Sequence, residues 1–284
     1  MEFIELLKAV LFGIVEGVTE WLPVSSTGHI ILLKAICPPQ ISAGVYDLFE
    51  IVVQLAAIIA VVVLFFHKLN PFSSKKDATQ KKNTWQLWFK VVVAVLPSAI
   101  IGLLIDEPLD AFLRGTPVVG TDLNTIVVAV ALVLYGVAFL WLERGTERNF
   151  KIKEVEQIDY KTAILIGIFQ CLSIIPGTSR SGATILGAIL LGVARPAGAE
   201  FSFFLAIPTM LGAGALKLIL FLKDGVQATG TEMAFLAVGC VVSFVVSLLV
   251  IKGLMEYVRK RSFAVFGIYR IVLGVLVLAY FLLK

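Results

Sequence analysis

Glu16 and Glu20 lie four residues apart in an otherwise apolar stretch, so on a helix both carboxylates leave one face, about 6 Å apart. An ionised carboxylate at membrane depth costs at least ~2.5 kcal/mol, and two of them repel each other. A hard divalent cation would neutralise the pair, because carboxylate oxygens are its preferred ligands. A partly protonated pair hydrogen-bonded among helices is the alternative. Beyond Pro23 come three hydroxyls, Ser25, Ser26 and Thr27, and then His29. A lone histidine on an apolar face is more often a satisfied core residue. Here the hydroxyls beside it and Glu20 across a turn point to an acid, a base or a phosphoryl acceptor.

A second polar cluster reads Pro176-Gly-Thr-Ser-Arg180-Ser-Gly-Ala-Thr184. Gly177 and the amides of Thr178, Ser179 and Ser181 suit an anion-binding nest, and a helix resuming at about Ser181 would add a positive dipole end. The Arg180 guanidinium fits phosphate oxygens bidentately and stays charged. A purely structural salt bridge from Arg180 to Glu16 or Glu20 is the competing reading. Gly-Lys-Ser/Thr and a preceding strand are missing, so this is no Walker A loop. Together the clusters hold the parts of a metal-assisted phosphoryl-transfer site, with Mg²⁺ or Ca²⁺ on Glu16 and Glu20.

The clusters are copies of one another. At a fixed offset of 154 residues Gly13 matches Gly167, Glu16 matches Gln170, Ser25 matches Ser179 and Gly28 matches Gly182. Glu20 falls opposite Ile174 and Ser26 opposite Arg180, so the copies are chemically unequal. A duplicated polar interruption in an apolar chain is a pointer to a membrane-protein site.

The elements that must position these residues follow from composition. The chain is 59% hydrophobic and 15% charged, with a mean hydropathy of +0.96, outside the range of soluble domains. Six stretches reach spanning length: about 45–66, 88–105, 124–142, 199–222, 232–251 and 264–283. Glu2 and Glu5 stand where a secretory signal would be basic. Cys37, Cys171 and Cys240 have no metal spacing and read as small hydrophobes. Connections 67–90 and 252–262 are basic and read as cytoplasmic, whereas 106–123 is acidic and, with 223–231, reads as external. Connection 143–161 is charge-balanced and is placed inside by alternation.

These facings have a consequence for both clusters. The segment before residue 45 begins and ends outside, and 145–198 begins and ends inside. Pro23 and Pro176 fall where each must turn back. The expected fold is an all-α polytopic membrane protein forming one domain over 1–284. It has an inverted-topology repeat, six transmembrane helices and two re-entrant helical hairpins. Repeat one covers 1–142 with its hairpin at about 4–35, and repeat two covers 160–284 with its hairpin at about 160–195. Irregular backbone at that depth survives only in protein or beside water, so the hairpins should meet.

Both long motifs together closely resemble the undecaprenyl-diphosphate phosphatase family, the BacA or bacitracin-resistance proteins. The resemblance runs along the whole chain and includes Phe49-Glu-Ile-Val-Val-Gln54-Leu, Phe201-Ser-Phe-Phe-Leu-Ala-Ile-Pro208 and Gly267-Ile-Tyr-Arg270. It implies a multi-pass protein of the bacterial plasma membrane. It also implies divalent-cation-dependent hydrolysis of undecaprenyl diphosphate to undecaprenyl phosphate and orthophosphate, which recycles the carrier for peptidoglycan and confers bacitracin resistance. The family's paired glutamates fall on Glu16 and Glu20, its Ser-Thr-Gly-His element on Ser26, Thr27 and His29, and its Pro-Gly-x-Ser-Arg element on Ser179 and Arg180. The basic stretch 73–83 reads as a family-variable loop.

Among the other polar residues, Glu50 and Gln54 share a helix face and are expected to line the same cavity. Arg270 is either a structural bridge or a substrate contact. Lys217 and His67 read as positional, and Glu200 as opening a helix. The site is expected to face outward, with a polyisoprenoid diphosphate as substrate, the bilayer as surroundings and no nucleic-acid partner. A homodimer is compatible with the sequence. A transporter or flippase for a phosphorylated polyisoprenoid is the competing function, since inverted repeats with midplane hairpins are common transporter architecture.

Overall fold

The computed structural model describes residues 2–118, 121–144, 150–223 and 228–283. Helices α1 (Glu2–Thr19) and α2 (Ser26–Ile36) are joined by a turn at 20–25 and followed by α3 (Ala43–Leu64), the short α4 (Phe66–Leu69), α5 (Ala78–Gly115) and α6 (Leu123–Glu143). The second half repeats the order. Helix α7 (Tyr160–Cys171), one 3-10 turn at Leu172–Ile174 and α8 (Arg180–Leu190) precede α9 (Arg195–Lys223), α10 (Gly230–Lys260) and α11 (Ala264–Leu282). Among the described residues six helices carry stretches long and apolar enough to cross a membrane: α3, α5, α6, α9, α10 and α11. With 12 and 11 residues, α7 and α8 reach only about 18 and 17 Å, short of a ~30 Å hydrocarbon core.

Local chemistry explains the boundaries. Asp77 caps α5 through a capping box with Gln80, Asp122 caps α6 on the Thr125 amide, and Asp159 caps α7 on the Thr162 amide. The Asp77 box starts α5 inside the connection expected at 67–90, and the helix runs on through most of the one expected at 106–123. Pro97 and Pro108 lie inside α5 without ending it; Pro97 falls in the apolar stretch Ala78–Ile105, where packing against neighbouring helices tolerates it. The remainder of that connection holds a two-residue antiparallel ladder, Pro117 opposite Asp122 and Val118 opposite Thr121, a small departure from an all-helical chain. Connections 143–161 and 223–231 fall partly outside the described residues.

Packing pairs the two halves crosswise. Helix α1 lies on α10 and α7 on α5, while α3 packs on α9 and α6 on α11. Small residues set these approaches: a Cβ at Gly13 would stand 2.7 Å from the Gly239 carbonyl, and one at Gly167 would collide with the Ala94 backbone. Phe201, Phe203, Phe204 and Trp21 fill the main core, whereas Leu103, Leu104 and Trp141 are largely exposed on the outer, lipid-compatible surface.

Ion pairs tie the ends. Arg195 on α9 pairs with Glu143 on α6, whose Oε1 also accepts from the Phe263 amide at 3.1 Å. Lys68 bridges Glu156 at 2.8 Å and Glu200 at 2.7 Å. Burial works against the Lys68 charge, but the two carboxylates offset it and hold the ammonium above the usual lysine range. Glu200 lies within α9 rather than at its opening, because the helix starts at Arg195 and the carboxylate is spent on Lys68.

Candidate active site

Each short helix pair turns through a strained serine. Ser25 has φ 71° and Ser179 φ 70°, and they are the described non-glycine residues with positive φ. Each precedes the first residue of a helix, α2 or α8, at the repeat offset. Such backbone costs on the order of 1–3 kcal/mol and persists only where surroundings impose it. Ser179 recovers part by accepting the Gly182 amide on its side chain at 3.2 Å. Ser25 Oγ is buried without a partner among the described residues.

The two turns bring two side chains onto one carboxylate. Ser26 and Arg180, the first residues of α2 and α8, converge on Glu20. Ser26 Oγ donates to Glu20 Oε2 at 3.2 Å, and Arg180 Nη2 donates to Glu20 Oε1 at 3.2 Å. Arg180 Nη1 donates to the Ser202 carbonyl at 2.8 Å, while its Nε is buried and without a partner. Ser181 Oγ reaches the Glu20 and Leu22 carbonyls at 3.2 and 3.3 Å, so the two turns touch directly. The salt bridge weighed as an alternative for Arg180 is therefore present, on Glu20 rather than Glu16.

Arg270 sits behind both turns instead of on the cavity wall. Fully buried, it donates to the carbonyls of Pro23 at 3.1 Å, Gly177 at 2.8 Å and Thr178 at 2.9 Å. One guanidinium thus satisfies irregular backbone from both halves, carbonyls that burial would otherwise leave unpaired. The amide nest is partly used inside its own turn, since Thr178 N–H donates to the Ile175 carbonyl at 3.2 Å and Gly182 N–H to Ser179.

His29 is oriented by two contacts. Its Nδ1 lies 2.7 Å from the Ser25 carbonyl, which can only accept, so Nδ1 carries hydrogen. In the neutral ring Nε2 is then the basic nitrogen, and it faces the Tyr269 hydroxyl at 2.7 Å. Ser26 hydrogen-bonds Glu20, and the basic edge of His29 is taken up by Tyr269.

A cavity of about 220 Å³ opens beside this assembly. Its walls include Glu16, Ser26 and Thr27 together with Glu50 and Gln54 from α3. Lys34, Tyr46 and Asn124 also line it and were not singled out from sequence. Lys34 had a signal, as it continues the α2 face of Ser26, Thr27, Ile30 and Ile31. Asn124 and Tyr269 had none, since residues on distant helices gain meaning only through packing.

Glu16 is the candidate metal ligand most in need of a partner. It is buried, its Oε1 has no hydrogen-bond partner, and the charges of Glu20 and Glu50 act on it. No group of three or more His, Cys, Asp or Glu side chains able to hold an ion is found among the described residues. Two carboxylates completed by substrate phosphate oxygens is nonetheless the usual way a protein holds Mg²⁺, so the donor chemistry fits. At the position matching Glu16 the second half carries neutral Gln170, buried and donating to Ser98 Oγ at 2.6 Å and Thr209 Oγ1 at 3.3 Å.

Comparison with known proteins gives the family of the chain. The family model described as "Bacitracin resistance protein BacA" matches residues 9–276. The "Undecaprenyl-diphosphatase 1" of Clostridioides difficile (strain 630) is 53% identical over 280 residues, 99% of this chain and 97% of the relative. The "Undecaprenyl-diphosphatase" of Lactiplantibacillus plantarum is 51% identical over 281 residues, 99% of each chain. That of Enterococcus faecalis is 53% identical over 281 residues, 98% of each chain. A match spanning nearly all of the sequence, both turns included, leaves one assignment: the chain belongs to the BacA family of bacitracin-resistance proteins.

Proposed function

We propose that the chain hydrolyses undecaprenyl diphosphate to undecaprenyl phosphate and orthophosphate, returning the lipid carrier to peptidoglycan synthesis and thereby conferring bacitracin resistance. The observation that carries the mechanism is the chain Ser26–Glu20–Arg180, which joins a hydroxyl, a carboxylate and a guanidinium across the two turns.

The residues divide the work as follows. Arg180, whose Nε lacks a partner, binds the terminal phosphoryl group and gives up Glu20 as the anion arrives. Glu20 so released takes the proton of Ser26, whose oxygen attacks the terminal phosphorus. The bond from that phosphorus to the bridging oxygen breaks, and undecaprenyl phosphate departs. Water then attacks the phosphoserine, His29 Nε2 accepts the water's proton as Tyr269 swings aside, Glu20 returns its proton to Ser26 as the P–Oγ bond breaks and orthophosphate leaves, and the His29 imidazolium releases its proton to solvent. Mg²⁺ or Ca²⁺ held by Glu16 and Glu20, when bound, neutralises phosphate charge. Glu50 and Gln54 shape the polar wall of the cavity.

In this reading the helix pairs α1–α2 and α7–α8 are re-entrant hairpins of an inverted repeat in a plasma-membrane protein, with the cavity facing outward. The crosswise pairing of α1 with α10 and α7 with α5, the matched strained serines and the short arms of α7 and α8 support it. The names of the relatives favour phosphatase over flippase. Purified protein in detergent is expected to release orthophosphate from undecaprenyl diphosphate and to stop on addition of a chelator. Lipid translocation in vesicles without phosphate release would establish the transporter instead.

A further inference from the structure

The mechanism above, on which this inference rests, leaves the other phosphate of the diphosphate without a partner. The cavity wall carries two carboxylates, Glu16 and Glu50, and a single basic side chain among its lining residues, Lys34. Lys34 lies in the last turn of α2, and its ammonium sits 3.9 Å from the centroid of the Tyr46 ring. Along α2, Ser26, Ile30 and Lys34 follow at fourfold spacing on one face, so the Lys34 backbone stands about 12 Å along the helix from that of Ser26. A helical side chain leans toward the helix N-terminus, which brings the ammonium back toward Ser26. Asn124, buried on α6, lines the same cavity, and its amide nitrogen is a donor suited to a phosphate oxygen.

A lysine in a last helical turn also complements the dipole, but that role needs no cavity and no aromatic seat. We infer that Lys34, assisted by Asn124, binds the proximal phosphate, the one that remains on the lipid, and so selects a diphosphate whose two phosphates reach Ser26 and Lys34 together. Ile30, Ile31, Phe49 and Val53 supply the apolar part of the same wall, which suits the first carbons of a prenyl tail. The site therefore reads a phosphate carrying an apolar chain, while Arg180 reads the group to be removed.

The test uses purified protein with farnesyl diphosphate as a soluble substrate, farnesyl monophosphate as product inhibitor and orthophosphate as a probe of the Arg180 side. Lys34→Met is expected to raise KM and the inhibition constant of farnesyl monophosphate together by about tenfold or more, with kcat affected far less. Orthophosphate inhibition should be unchanged, and Lys34→Arg should restore both constants. Unchanged KM and monophosphate inhibition in Lys34→Met would overturn the assignment, as would a parallel loss of orthophosphate inhibition, which would mark a general field effect. If wild type released no phosphate, the hydrolase reading itself would fail. Binding of farnesyl monophosphate to wild type and Lys34→Met would still decide the role of Lys34.

Discussion

Ser26 is placed by the backbone before it and by a carboxylate beside it. It follows a residue held at positive φ and donates to Glu20. Removing the hydroxyl should therefore abolish turnover without disturbing the fold, because only one hydrogen bond of a half-buried side chain is lost. Ser26→Ala is expected to lower kcat by about a thousandfold or more while the melting temperature in detergent stays within a few degrees. Near-wild-type turnover in a folded Ser26→Ala protein would remove the serine nucleophile and shift the attack to water. At this scale the sequence was informative where residue type and spacing were unusual for lipid, as with Glu16, Glu20 and Arg180. It was silent on Tyr269, which approaches His29 from 240 positions away, and on Ser202, which contributes only a backbone carbonyl to Arg180.

Elements hold the site through backbone proximity. Helices α1 and α7 present Gly13 and Gly167, matched by the repeat, to α10 and α5. A side chain at 167 would drive apart the helices that fix the Arg180 turn, whereas Gly102 on α5 has open space around its Cβ. Gly167→Leu is expected to be unfolded or inactive, and Gly102→Leu to retain wild-type melting and turnover. Equal behaviour of the two, read by size-exclusion profile and phosphate release, would contradict close packing of α7 on α5. Core helices, turns and both prolines were legible because apolar periodicity and helix breakers act locally. The length of α5 was not, since Pro97 and Pro108 read locally as breakers and the helix nonetheless runs through both.

Across the whole molecule, two similar halves have diverged into complementary parts. The first keeps Glu16, Glu20, Ser26 and His29, and the second keeps Arg180, with neutral Gln170 closed into a polar network where Glu16 would be. Arg270 from the last helix then fastens both turns by their carbonyls. The repeat was readable from a constant offset of 154 residues, but its unequal chemistry gains meaning only once the turns are seen in contact. One site built from both turns has a direct energetic signature, because groups acting as a unit lose function together rather than independently. The decisive measurement is orthophosphate release from undecaprenyl diphosphate by Glu20→Gln, Arg180→Ala and the double variant. Each single change should reduce kcat/KM by about a hundredfold or more, with the double variant close to the worse single. Losses that multiply in the double variant, or wild-type release by Arg180→Ala, would show that the two turns do not form one catalytic site.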